Sequence, residues 1–258
     1  MEIWSHRGRT SSDELGNSFR NFMTAYYSGV AGIETDISLT ADKKIIIYHP
    51  GSTRPDLALM NWRDIKNSIF NNVADLNAFL NLLSGLSGIK CCLDIKQNSE
   101  ELVEEAVKSV LRKKLKDRIY FTAFQKKISR LGIESDGQLL LLTKEICPTA
   151  KTHLIAIWPS NLLELAEKYN PDMISFGWLQ EPRLNKLVSK TLFKIIAKKT
   201  NLAEQIKEIK NRGIKTLAGI FNDPKDVLYF SDLGVDGIMT DSPLVLMDLM
   251  KNKKIPFV

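Results

Sequence analysis

The sequence predicts an α/β protein, a single (β/α)8 TIM barrel that covers residues 1–258 as one domain. Three observations carry this prediction. Strand-like and helix-like segments alternate about eight times over ~250 residues, the usual length of such a barrel. Polar side chains gather where the strands end, as they do at the carboxyl-terminal mouth of a barrel. No Gly-x-Gly-x-x-Gly motif opens the first helix, which disfavours an open, doubly wound sheet that binds a dinucleotide.

The strands are predicted from short apolar runs bounded by polar or turn-forming residues. A further extended run, Ile45-Ile46-Ile47-Tyr48, stops at His49-Pro50, because a residue before proline prefers extended geometry. The segment 153–158 is either a short extra strand or the approach to a helix. The eight strands of the predicted barrel cover residues 2–6, 31–37, 89–95, 118–122, 138–142, 173–176, 216–220 and 237–240.

The helices are predicted from apolar residues at helical spacing and from the capping residues that precede them. Asn17 or Ser18 caps the first helix, Asp75 caps the helix that ends near residue 83, and Asp223 precedes a helix with proline in its first turn. The first predicted helix ends near residue 28 and the last ends near residue 250. Another predicted helix begins at residue 224. The remaining predicted helices cover residues 62–68, 75–83, 99–114, 124–132, 161–169, 182–198 and 201–212.

The charge of the chain is compatible with an ordinary surface and with an anionic substrate. The formal net charge is +6, and Lys and Arg are spread along the whole chain. A solvated, Lys-rich surface explains this pattern, and attraction of an anionic substrate is the alternative. We expect no nucleic-acid partner, since no recognised motif or basic-aromatic alternation occurs.

The three cysteines and the apolar runs indicate a cytoplasmic protein. An odd number of cysteines without Cys-x-x-Cys disfavours a disulfide framework or a zinc site, and a reducing compartment fits. The chain enters a strand at Ile3 with no signal-peptide pattern, and no apolar run approaches the ~20 residues of a membrane span. We therefore expect no stable membrane insertion; the sequence leaves the oligomeric state open.

Three carboxylates are expected to meet at the mouth of the barrel. Glu34 and Asp36 lie two residues apart on one strand, so their side chains share a face, and Asp94 ends the next parallel strand. Buried carboxylates need an answering cation. Because all three offer oxygen ligands, Glu34, Asp36 and Asp94 indicate a site for Mg²⁺ or Ca²⁺ rather than zinc.

Two cations and two histidines accompany this acidic cluster. Arg7 and Lys96 make the pocket positive overall and suit it to a phosphate, although Lys96 in a structural ion pair with Glu34 or Asp36 is an alternative. His6 and His49 can act as general acid and base, which the cleavage of a phosphodiester requires. His153 is interpreted as a structural hydrogen-bonding residue.

These residues resemble the glycerophosphodiester phosphodiesterase family. The resemblance rests on five motifs, from near residue 3 to near residue 246: His6-Arg7-Gly8, Glu34-Thr35-Asp36, Tyr48-His49, Asp94-Ile95-Lys96 and the run Gly234–Pro243. It implies a barrel of the phosphatidylinositol-phosphodiesterase type that hydrolyses glycerophosphodiesters to glycerol 3-phosphate and an alcohol. It also implies that His6 and His49 are acid and base, that Arg7 and Lys96 contact the phosphate, and that Glu34, Asp36 and Asp94 hold Mg²⁺ or Ca²⁺.

The chain departs from the family pattern at several positions. Asp94 stands where the family usually has Glu, Pro50 follows His49 in place of Asp, and Gly219 begins a segment in which the family's Trp is missing. Two alternatives follow. Asp94 slightly favours a phospholipase D-like enzyme that acts on lysophospholipids, and the changes at Pro50 and Gly219 motivate an inactive phosphodiester-binding protein on the same fold. Asp241, just past the last strand, either belongs to the site or caps the next helix.

Overall fold

Eight parallel strands close into a barrel in the computed structural model, which describes residues 1–11, 15–128, 134–180 and 183–252. A ninth strand, Ile45–Ile47, pairs antiparallel with residues 37–39 at the end of a barrel strand. The strands are β1 (Glu2–Ser5), β2 (Gly32–Leu39), β3 (Ile45–Ile47), β4 (Lys90–Ile95), β5 (Ile119–Phe124), β6 (Lys151–Ala156), β7 (Met173–Phe176), β8 (Lys215–Gly219) and β9 (Gly237–Thr240).

Closure is made by β1, which pairs in parallel with both β2 and β9. The predicted (β/α)8 barrel is therefore confirmed. The α-helices of the described residues are α1 (Phe19–Tyr27), α2 (Trp62–Lys66), α3 (Leu76–Gly85), α4 (Glu100–Arg112), α5 (Gln138–Ile146), α6 (Leu162–Tyr169), α7 (Arg183–Lys199), α8 (Leu202–Asn211), α9 (Pro224–Asp232) and α10 (Pro243–Asn252). No helix among them is both long and apolar enough to cross a membrane.

One predicted strand is wrong. Residues 138–142 belong to helix α5, and the fifth strand of the barrel is β6, which overlaps the stretch 153–158 whose strand character the sequence left open. Gln138-Leu139-Leu140-Leu141-Leu142 is a short apolar run, which suits a buried helix as well as a strand. In the structure Leu139, Leu140 and Thr143 face the core at helical spacing. The helix predicted over residues 124–132 is also wrong for its first part, because residues 125–128 are not helical. The rest of that prediction falls on residues 129–133, which lie outside the described residues.

The core has two parts that together position the strand ends. Apolar side chains fill the space between the strands and the surrounding helices. A second cluster fills the interior of the barrel and consists of Trp4, Cys92, Tyr120, Met173, Leu217 and Met239. Trp4 fits there because Gly32 faces it: a Cβ at position 32 would lie 2.4 Å from the indole ring. The three cysteines are free and buried.

Candidate active site

A tight turn at the end of β1 directs the first two candidate residues into the barrel mouth. His6–Gly8 forms one turn of 3-10 helix, in which Arg7 has φ 55° and Gly8 has φ 67°. The left-handed conformation at Arg7 is uncommon for a residue with a side chain. It lets the Arg7 backbone N–H donate to Glu34 Oε2 at 3.0 Å while its guanidinium Nε lies 2.9 Å from Asp36 Oδ2.

His6 is held by Asp241, a residue that follows β9. His6 Nδ1 lies 2.7 Å from Asp241 Oδ1. Burial alone would raise the pKa of Asp241, but the hydrogen bond and charge of His6, the Asn222 amide and Arg9 lower it to about 2. Since the carboxylate is ionised, Nδ1 carries the hydrogen and Nε2 is left for chemistry. Burial lowers the pKa of His6 below its ordinary value, and the hydrogen bond with Asp241 opposes that shift.

The three predicted carboxylates meet as expected. Asp36 on β2 lies in register with Asp94 on β4, and one oxygen each from Glu34, Asp36 and Asp94 lie within 4.8 Å of one another. All three residues are buried. Burial, followed by the charges of Asp36 and Asp94, raises the pKa of Glu34 well above its ordinary value. Asp94 Oδ1 is buried and accepts no hydrogen bond from the described residues. A set of hard oxygen donors with an unsatisfied oxygen fits a divalent cation such as Mg²⁺ or Ca²⁺.

Two cations face the same carboxylates. Lys96 Nζ lies 2.9 Å from Asp36 Oδ1 and also contacts Asp94, and Arg7 binds the other oxygen of Asp36. Burial would raise the pKa of Asp36, but Lys96 and Arg7 hold it well below its ordinary value. The carboxylates in turn raise the pKa of Lys96 despite its burial. The ion pair of Lys96 with Asp36, one of the two pairings considered from the sequence, is thus present, while that with Glu34 is replaced by Asp94.

His49 follows β3 and borders the same mouth. Its Nδ1 lies 2.8 Å from the carbonyl oxygen of Pro50. Because a carbonyl can only accept, Nδ1 carries the hydrogen in this arrangement and Nε2 is the basic nitrogen. Partial burial, followed by the charges of Lys96 and Arg7, lowers the pKa of His49 to about 4, although Asp36 opposes the shift. His49 is therefore neutral at pH 7 in the free protein.

A cavity of about 670 Å³ opens beside Arg7 and His49. Its volume is within the usual range for small-molecule sites. Arg20 is the other cation in its wall, and polar groups come from the start of α1 and from the loop after His49. The apolar part of the wall is formed by Leu15, Ile47, Tyr48, Leu57, Ile69, Phe70 and Val73. A ligand that contacts Arg7 can therefore place an apolar group against this wall.

Other residues support the site without having been selected from the sequence. The Asn17 amide donates to Asp36 Oδ2 at 2.7 Å, and Asn222 donates to Asp241 Oδ2 at 3.1 Å. Asn17 was predicted only as a possible cap, and Ser18 is the cap that forms. His153 lies apart from this group: its Nδ1 is 3.1 Å from Thr122 Oγ1 inside the barrel.

Comparison with known proteins gives a consistent family. The model described as the Glycerophosphoryl diester phosphodiesterase family matches residues 6–245. Uncharacterized protein YqiK of Bacillus subtilis (strain 168) is 24% identical to this chain over 263 residues, which covers 98% of this chain and 99% of the relative.

Solved structures share the fold at low sequence identity. A glycerophosphodiester phosphodiesterase from Parabacteroides distasonis has a TM-score of 0.74 at 18% identity, with 98% of both chains covered. One from Thermotoga maritima has a TM-score of 0.71 at 17% identity, covering 96% of this chain and 98% of the other. A phosphodiesterase from Oleispira antarctica in complex with the product sn-glycerol-3-phosphate has a TM-score of 0.70 at 18% identity, with 97% of both chains covered.

Proposed function

Because the chain belongs to the glycerophosphoryl diester phosphodiesterase family, we propose that it hydrolyses glycerophosphodiesters to glycerol 3-phosphate and an alcohol. Family membership confirms two predictions from the sequence, the family itself and the enzyme class of glycerophosphodiester phosphodiesterase. The observation that carries the proposed reaction is the meeting of an acidic triad, two cations and two histidines at one end of the barrel. The Oleispira neighbour, which holds sn-glycerol-3-phosphate as its product, supports the same product here.

The charged groups suit the binding of a phosphodiester. Arg7 can bind phosphate oxygens in two-pronged fashion, and Lys96 acts as a point charge. Glu34, Asp36 and Asp94 would hold Mg²⁺ or Ca²⁺, which when bound supplies positive charge to the phosphoryl oxygens. Arg7 and Lys96 already pair with Asp36, so a bound phosphate shares their charge with that carboxylate. The small-molecule phosphodiester is the proposed partner of the site.

Two imidazoles provide the proton transfers. Water attacks the phosphorus, and the bond from phosphorus to the alcohol oxygen breaks. One of His6 and His49 removes a proton from the attacking water, and the other donates a proton to the leaving oxygen. Both present Nε2 for this purpose, since Asp241 and the Pro50 carbonyl occupy their Nδ1 atoms. We place this reaction in the cytoplasm because the three cysteines are free.

A phospholipase D-like reaction on lysophospholipids is a second candidate function. The apolar wall of the cavity beside Arg7 and His49 favours it, because an acyl chain would be buried there. The two functions differ in the products released from lysophosphatidylcholine. Release of choline together with lysophosphatidic acid would support the second function, whereas glycerophosphocholine would yield choline and glycerol 3-phosphate under both.

The first test is an assay of glycerol 3-phosphate release. The purified chain is incubated with glycerophosphocholine or glycerophosphoethanolamine in the presence of Mg²⁺, Ca²⁺ or EDTA. We expect release with at least one cation and none with EDTA. His6→Ala and His49→Ala are each expected to lower the rate by about 10²–10⁴-fold while the fold is kept.

His153→Gln is the matched control, because it removes the third histidine of the chain away from the acidic triad. It is expected to keep the rate within about tenfold of the wild type, a loss smaller than general acid–base catalysis supplies. Wild-type rates in either the His6 or the His49 variant would refute the acid–base assignment. No turnover of these or of lysophospholipid substrates with any cation, together with saturable binding, would favour the inactive binding protein.

A further inference from the structure

Helix α7 lies between β7 and α8, at the same end of the barrel as the candidate active site. It begins shortly after β7, whose carboxyl end points to the mouth, and Thr200 just beyond its last residue contacts the carbonyl of Pro159, which follows the carboxyl end of β6. Both ends of α7 are therefore at the same end of the barrel as the candidate active site. Helix α8 then leads back towards the start of β8.

One face of α7 is anchored to the barrel. Phe193 is fully buried and packs against Trp178 and Phe230, with ring centroids 5.3 and 5.5 Å apart. Lys190 pairs with Asp226, a buried residue of α9, and Lys186 lies 3.4 Å from the same carboxylate. This packing fixes which side of the helix faces outward.

The outward face of α7 is apolar. Leu187 is 66% exposed and Ile195 is 59% exposed, and Val188 and Leu192 are also exposed. At 100° per residue these four side chains fall within one arc of about 140°, opposite Phe193. Several exposed apolar side chains on one face of a helix are typical of a surface that binds a partner.

The positive charge of α7 indicates which kind of partner fits this face. Residues 183–199 contain six Lys and Arg and no Asp or Glu. Two of these lysines anchor the helix to Asp226, and Lys194, at the edge of the apolar arc, lies over the Tyr229 ring at 4.6 Å from its centroid. Lys198 and Lys199 are exposed on the same side of the helix, just beyond Ile195. A helix with an exposed apolar stripe flanked by lysines is suited to lie in the headgroup region of an anionic membrane.

We propose that the exposed face of α7, formed by Leu187, Val188, Leu192, Ile195 and the flanking lysines, docks the enzyme on an anionic lipid bilayer. The apolar side chains enter the boundary between headgroups and acyl chains, and the lysines contact anionic headgroups. Because α7 lies at the mouth end of the barrel, docking turns that end towards the membrane. The attachment is peripheral and reversible, and it does not depend on the proposed reaction.

Vesicle binding by the full chain tests the proposal. Cosedimentation is measured with vesicles of phosphatidylcholine alone and of phosphatidylcholine with phosphatidylglycerol. We expect binding to the anionic vesicles at least about tenfold tighter than to the neutral ones, and weaker binding when the salt rises from about 0.05 M to about 0.5 M. Lys198→Gln/Lys199→Gln is expected to weaken anionic binding about tenfold or more, and Leu187→Gln/Ile195→Gln to weaken it severalfold.

Matched controls separate docking by α7 from a general effect of net charge. Lys108→Gln/Lys113→Gln removes the same two charges from exposed positions on and just after α4, and Tyr27→Gln removes an exposed apolar side chain from α1. Both control variants are expected to bind anionic vesicles with an affinity within about twofold of the wild type, because the lysines and apolar side chains of α7, and not the net charge of the chain, hold the protein on the bilayer. Equal weakening by the α4 variant, or no binding of the wild type to anionic vesicles, would overturn the proposal. A wild-type dimer that Leu187→Gln/Ile195→Gln dissociates in light scattering would also overturn it, because a second copy would then cover the face.

Discussion

Asp241 fixes the orientation of the His6 imidazole at the mouth of the barrel. Its carboxylate accepts from Nδ1 of His6 at 2.7 Å and is itself fixed by Asn222 and Arg9. The pKa of Asp241, lowered to about 2, keeps it ionised over the whole working range of an enzyme. The ionised carboxylate holds one tautomer of His6 and stabilises the imidazolium when it forms. We therefore interpret Asp241 as a positioning residue and not as a simple helix cap.

Asp241→Asn is expected to lower turnover by about 10²-fold or more, because the amide can donate to Nδ1 and so favour the wrong tautomer of His6. The loss of the negative charge is also expected to lower the pKa of His6 further, which shifts one limb of the pH–rate profile to lower pH. The measurement is the pH dependence of kcat and kcat/KM for the variant and the wild type. An unchanged profile with a reduced rate would contradict the positioning role.

The sequence predicts the charged and histidine residues of the candidate site better than the residues that hold them in place by hydrogen bonds. His6, Glu34, Asp36 and Asp94 are recognisable because each ends a strand or shares a strand face with another carboxylate. Asn17 and Asn222 carry no such pattern: each is a single amide in a loop, and only the folded chain shows that it holds a carboxylate. Lys96 is an intermediate case, since its position predicts a phosphate or an ion pair and the structure shows the ion pair.

At the scale of the element, the sequence predicts strands well where branched apolar residues alternate with small or polar ones. It is wrong at residues 138–142, where four successive leucines satisfy both a strand and one face of a helix. In contrast, Lys151-Thr152-His153-Leu154 forms a strand although it contains a lysine and a buried histidine. This segment forms a strand because β5 and β7 pair with it on either side in the closed barrel. The local sequence does not contain that information.

The turn after β1 is an element that depends on one glycine. Gly8 has φ +67°, and a Cβ there would lie 2.5 Å from Phe22 of α1. Gly8→Ala is therefore expected to cost ~1–3 kcal/mol of the free energy of unfolding and to displace His6 and Arg7, with a fall in turnover. Chemical denaturation and the glycerol 3-phosphate assay measure the two effects.

Gly29→Ala is the matched control for this turn. Gly29 also has a positive φ, +81°, but nothing lies within 4 Å of a Cβ built on it. We expect about 1–2 kcal/mol of backbone strain from this variant and no change in kcat. If the two variants lost equal stability and both kept full activity, the close packing of Gly8 on α1 would have no part in holding the site.

Closure of the whole barrel buries titratable side chains in its interior, where no single strand or helix could shield them from water. The interior beneath the site holds His153, which is 1% exposed and contacts Thr122. Burial lowers the pKa of His153 to about 3. The same burial of His6 lowers its pKa, so acid acts on the stability of the barrel as well as on catalysis.

Acid is expected to destabilise the fold through His153. The unfolded chain takes up the proton of this imidazole near its ordinary pKa of 6.5, while the folded barrel takes it up only near pH 3. Between these values the unfolded state binds more protons, so the free energy of unfolding falls as pH falls, by about 1.4 kcal/mol per pH unit at the limit.

His153→Gln removes this dependence of stability on the protonation of His153. The loss of unfolding free energy between pH 7 and pH 5, measured by denaturant titration, should therefore be about 2 kcal/mol smaller in the variant than in the wild type. Equal losses in the two proteins would mean that His153 becomes protonated inside the folded barrel, and that the barrel admits water or an anion to that depth.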